Sequence, residues 1–146
     1  MSEIFSKNFT YEELIKSATA KRLGIDNTPS PEEKEKLKKL AVEILQPIRD
    51  AWKAPIIITS GYRCKKLNDA VGGAKTSQHS VGEAADIRTV SDSRAENKKL
   101  FNMILKMLEK GTIKCGQLID EYNGDWIHIS LPRTNGKPNN QVLHVK

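Results

Sequence analysis

Apolar residues recur at intervals of three and four over Leu37, Leu40, Ala41, Ile44, Leu45, Ile48 and Trp52, which is one face of an amphipathic helix. Its start is marked by Ser30 as N-cap, Pro31 at the first helical position and Glu33 placed to reach back as a capping box. Pro47 has no N–H to donate, so a kink is expected near the last turns. A second helix follows Ser93 and Glu96, again at capping-box spacing, and buries Leu100, Phe101, Ile104, Leu105 and Leu108 before Gly111 ends it. A shorter helix is expected to start at Thr10-Tyr-Glu-Glu13. Elsewhere the pattern changes to short β-branched runs at 55–59, 84–90, 116–122 and 126–131, with a weaker one at 141–145. In the fourth run alternation is strict: Trp126, His128 and Ser130 share one face, while Ile127, Ile129 and Leu131 fill the core. Helices early and strands late predict an α+β domain, with helices packed on a small, largely antiparallel sheet. Turn-rich loops fall at 24–30, 71–74 and 133–140; none is long enough to link domains, so residues 1–146 are expected to form one.

Composition narrows the class. A chain of 146 residues can bury roughly 68–70% of its unfolded surface, enough for a core without disulfide or metal staples. Cys64 and Cys115 form neither a disulfide framework nor a C-x-x-C pair, so reduced thiols are expected. No apolar run approaches the ~20 residues that span a bilayer, and the start lacks a basic region followed by an apolar one. The expectation is a chain that neither spans a membrane nor is exported by the Sec route, cytoplasmic as synthesised. A net charge of +6 favours an acidic partner: nucleic acid, an anionic membrane surface or an anionic wall polymer. Much of the charge lies in the sign-alternating stretch 32–39, a solvated helix face. No aromatic-and-basic stripe or groove-reading motif accompanies it, so a nucleic-acid partner is not expected.

The chemistry concentrates on few residues. His79 lies in the loop-like stretch 76–82, and Asp86 follows seven residues later among Ala84, Ala85 and Ile87, where a carboxylate is costly to bury without a partner or a cation. His128 stands on the non-core face of its strand. Two imidazoles and one carboxylate are an open ligand set for zinc, with a position left for water. A hydrolase of this kind needs a base that is not a ligand, for which Asp125, Asp120 and Glu121 are candidates. Residues 125 and 128 differ by an odd number, so a regular strand would aim them at opposite faces; Asp125 requires irregular backbone around Gly124.

The stretch from Ser77 to Asp86 matches S-x-H-x-x-G-x-A-x-D, and 126–130 reads W-x-H-x-S with an acidic residue three before the histidine. Upstream stand Ser60, Gly61, Tyr62 and Arg63, then Asn68, then Gly72, Gly73 and Ala74, an S-G-Y-R…N…G-G-A segment. Together these resemble the zinc peptidase family of D-Ala-D-Ala carboxypeptidases and L-alanyl-D-glutamate endopeptidases. The stretches 9–14, 17–20, 27–29 and 45–49 are similar to its carboxypeptidase-type subgroup, common in phages and prophages. The resemblance runs from about Phe9 to Ser130. One departure is Ser80-Val81, where family members often carry a basic residue.

This resemblance implies the fold shared by these peptidases and the Hedgehog signalling domain. It implies one zinc ion held by His79, Asp86 and His128, with Asp125 as the proton-transferring base. Arg63 would bind or polarise the substrate carbonyl or carboxylate, with Ser77 and Gln78 in the same pocket. The activity expected from it is hydrolysis of peptidoglycan stem peptides or cross-links by a monomer acting on the cell wall after release. The same fold also permits a non-catalytic zinc-bearing module that binds wall or protein. His144, beyond the matching region, is expected not to be a ligand.

Overall fold

Local signals explain most element boundaries in the computed structural model, which describes residues 3–75, 77–134 and 139–146. Positions 1–2 of the start, 76 of the loop-like stretch 76–82 and 135–138 of the loop expected at 133–140 lie outside the described residues. A small antiparallel pair, β1 (Ile4–Ser6) and β2 (Phe9–Thr10), leads into α1 (Tyr11–Ile15), whose capping box is made by Thr10 and Glu13. The helix α2 (Ala18–Leu23) follows and ends on Gly24 in the left-handed conformation. These short pieces carry too few residues for a periodic signal, and of them the sequence reading anticipated only α1.

The long helix begins as expected, with Ser30 and Glu33 closing a capping box at the head of α3 (Pro31–Leu40). It then widens into a π-helical turn, Ala41–Leu45, before α4 (Gln46–Trp52). The expected kink at Pro47 thus takes the form of one wide turn immediately upstream. Bonding from Gln46 N–H to the Ala41 carbonyl shifts the ladder by a residue where proline can neither donate nor fit. The predicted stripe is buried throughout, except that Trp52 is only partly covered.

The main sheet comprises β3 (Ile56–Ser60), β4 (Ala84–Thr89), β5 (Gln117–Glu121), β6 (Trp126–Ser130) and β7 (Gln141–Val145), in the order β3-β4-β6-β5-β7. Three pairings are antiparallel; β7 joins β5 in parallel, so the sheet is mixed at one edge. The helix α6 (Arg94–Glu109) packs Leu100, Phe101 and Ile104 onto the sheet face that presents Ile87, Leu118, Ile127 and Ile129. Ser93 caps it through the Glu96 N–H, while the Glu96 carboxylate pairs with Lys99 at 3.1 Å and leaves the box half made. On the opposite sheet face a 3-10 turn, Gln78–Val81, packs against β4, with α5 (Lys65–Ala70) beside the turn. No helix among the described residues is long and apolar enough to cross a membrane.

Candidate metal centre

The register of the sheet sets two of the three central side chains. Asp86 pairs with His128 across the β4–β6 ladder, and strand alternation aims both away from the α6 side. His79 comes from the 3-10 turn, whose start is capped by Ser77 Oγ accepting the His79 N–H at 3.1 Å. Arg63 N–H donates to the His79 carbonyl at 3.1 Å, tying this turn to the segment after β3. That segment is itself pinned by Asn27, which donates to the Tyr62 carbonyl and accepts from Cys64 N–H.

The three side chains converge. Their ligand atoms lie within 4.8 Å of one another, and among the described residues they form the one such group of three or more. All are buried: His79 is 2% exposed, His128 8% and Asp86 9%. Asp86 Oδ1 stands 3.1 Å from His128 Nδ1 and 3.3 Å from His79 Nε2. Burial pushes the Asp86 carboxyl up, but the imidazoles of His128 and His79 outweigh it and hold the group well below the usual carboxylate range.

The chemistry of this donor set can be tested for a cation. His79 Nδ1 is 2.7 Å from the Gly61 carbonyl, which can only accept, so Nδ1 carries a proton and Nε2 is the ring nitrogen turned to the Asp86 carboxylate, 3.3 Å away. Between that nitrogen and the oxygen the contact needs positive charge, a proton or a cation. A second imidazole aimed at the same oxygen favours a metal ion over a proton, and the backbone carbonyl behind His79 is the outer partner that fixes a metal-ligating histidine. The residues fit: two imidazoles and a carboxylate are what zinc takes in hydrolytic sites. His128 Nε2 is buried without a hydrogen-bond partner among the described residues, so that ring has a nitrogen to spare.

A cavity of about 670 Å³ opens over the group, lined by His79, Asp86 and His128 together with Arg63, Ser77, Gln78, Glu121 and Trp126. Arg63 borders this cavity and a neighbouring one of about 420 Å³, which runs past Lys16, Ser17, Thr59 and Ser60. Its Nε is buried and unpartnered among the described residues. Burial lowers its pKa, opposed by the charges of Asp86 and Glu121. Gln78 is committed to structure as well as to the lining, since Nε2 donates to the Leu131 carbonyl at 3.0 Å and to Glu83 at 3.2 Å.

Asp125 is not brought to this place. The backbone turns from β5 to β6 through Tyr122, Asn123 and Gly124, all at positive φ, and leaves Asp125 on the α6 side of the sheet, 3.3 Å from Arg94 and with its side chain 47% exposed. Gly124 does bend the chain as the sequence suggested, but away from the cavity. Asp120 faces the core and meets His144 at 3.2 Å, and neither belongs to the cluster of His79, Asp86 and His128. Cys64 caps α5, its Sγ accepting from Leu67 N–H at 3.5 Å. Glu121, another of the three acidic candidates in the sequence, lies opposite Trp126 in the β5–β6 ladder and lines the cavity, a placement set by cross-strand register and not by spacing along the chain.

The sequence model of a family described as Peptidase M15 matches residues 7–130. No curated protein matches the chain.

Proposed function

The chain belongs to the Peptidase M15 family and so reads as a zinc metallopeptidase; from that premise we propose that it hydrolyses peptide bonds in peptidoglycan stem peptides or cross-links. The observation that carries the metal-dependent part is the convergence of His79, Asp86 and His128 in one open cavity, and these three would hold a single zinc ion. When bound there, zinc would supply Lewis acidity, acidifying a water and polarising the peptide carbonyl. The protein's own contributions are positional. Gly61 fixes the His79 tautomer through its carbonyl, and the guanidinium of Arg63 offers fixed donors to a substrate carboxylate or to the developing oxyanion. Ser77 lines the same wall while holding the His79 turn. The net charge of +6 supports an anionic wall as substrate, because a basic surface raises the encounter rate with it.

Digestion of purified peptidoglycan followed by mass analysis of the fragments tests this reading. Chelation is expected to abolish release of stem-peptide fragments and zinc to restore it; full activity after exhaustive metal removal overturns the proposal. A second reading, a zinc-bearing module that binds wall or protein without turnover, is favoured by one observation: Asp125 faces away from the cavity. It predicts retention on peptidoglycan with no fragments at any zinc concentration.

A further inference from the structure

A zinc hydrolase needs a group that takes a proton from the attacking water and returns it to the departing amine, and the acidic residue three before His128 is not placed to do so. Resting on the peptidase reading above, we propose that Glu121 is this group. The case is geometric. In the β5–β6 ladder Ile119 lies opposite His128 and Glu121 opposite Trp126, so Glu121, Trp126 and His128 project from the same face. Burial follows the same alternation: Leu118 and Asp120 are buried on the core side, while Gln117, Ile119 and Glu121 are half-buried and line the cavity. Glu121 stands outside the group of three that closes within 4.8 Å, which suits a base beside the metal ligands better than a fourth ligand.

Its surroundings suit proton transfer. Among the described residues the Glu121 carboxylate has no salt bridge, whereas Asp125 is engaged with Arg94. Burial and the neighbouring Asp86 charge push the Glu121 carboxyl up from its ordinary value, opposed by His128, Trp126 and His79. The step balances without a further reagent. Water oxygen bonds to the carbonyl carbon as its proton passes to Glu121; the C–N bond then breaks, and the proton passes from Glu121 to the amine nitrogen, leaving a carboxylic acid, an amine and the carboxylate restored.

The test uses the full chain with Glu121→Gln, Glu121→Asp and Asp125→Ala, measuring zinc per chain, stem-peptide affinity by calorimetry, and turnover. Glu121→Gln is expected to keep zinc and peptide affinity within about twofold while kcat falls roughly 10²- to 10⁴-fold. Glu121→Asp should recover part of that loss, and Asp125→Ala should stay close to the parent. Turnover of Glu121→Gln within about tenfold of the parent, loss of its zinc, or the large fall appearing in Asp125→Ala instead overturns the assignment. Absence of hydrolysis by the zinc-loaded parent chain removes the peptidase reading, and this assignment with it; that outcome is distinguishable because it shows before any substitution is made.

Discussion

Asp86 carries two demands at once, since one carboxylate oxygen faces both imidazoles of the cluster. Its folded pKa lies below the ordinary 3.8, so in acid the unfolded chain takes up a proton that the folded chain refuses. Stability from this group is therefore complete above the ordinary value and is lost as pH falls through the folded one. Denaturant unfolding of metal-free protein between about pH 7 and pH 3 should show a steeper acid loss for the parent than for Asp86→Asn. Gly61 is a second single-residue constraint: a Cβ there would run into the Leu14 backbone, and the shift would carry the Gly61 carbonyl off His79 Nδ1. Gly61→Ala should weaken zinc binding about 10- to 100-fold in competition with a chromophoric chelator. At this scale the cluster of His79, Asp86 and His128 was legible because a carboxylate among alanines and an imidazole on a polar strand face are both out of place. The turning of Asp125 away from the cavity was not, because Asn123 and Gly124 mark a turn without saying that Tyr122 joins them at positive φ.

The helices and strands owe their places to period and packing. Ile104 is fully buried between α6 and the sheet, so Ile104→Ala should lower unfolding free energy by about 3 kcal/mol without changing the zinc content of the folded protein; chemical denaturation and metal analysis check the two halves. Strict alternation in 126–131 made β6 legible before any coordinates, since Ile127, Ile129 and Leu131 had to be inside together. Direction in the last strand was not legible: Gln141–Val145 has a strand composition, but composition does not distinguish its parallel pairing with β5 from an antiparallel one. The π turn before Pro47 was visible only as a disturbance, because a missing N–H predicts a lost bond and not how the ladder is rerouted.

For the whole molecule, a basic surface and a polar cavity act at different ranges. Raising ionic strength from ~50 mM to ~500 mM should slow digestion of intact wall severalfold while leaving turnover of a short neutral peptide nearly unchanged, as parallel assays on the two substrates would show. The sheet order adds a different kind of consequence. Asp86 and His128 sit on β4 and β6, which like β5 are flanked on both sides, whereas β3 and β7 form the rims. Openings that begin at a rim release β7 while the inner ladder stays closed. In deuterated solvent the amides of Ile87, Ile127 and Ile129 should therefore exchange last and those of Gln141–Val145 first. Asp86 and His128 would then share the lifetime of the most slowly opening part of the fold, so fraying of the tail leaves their geometry intact.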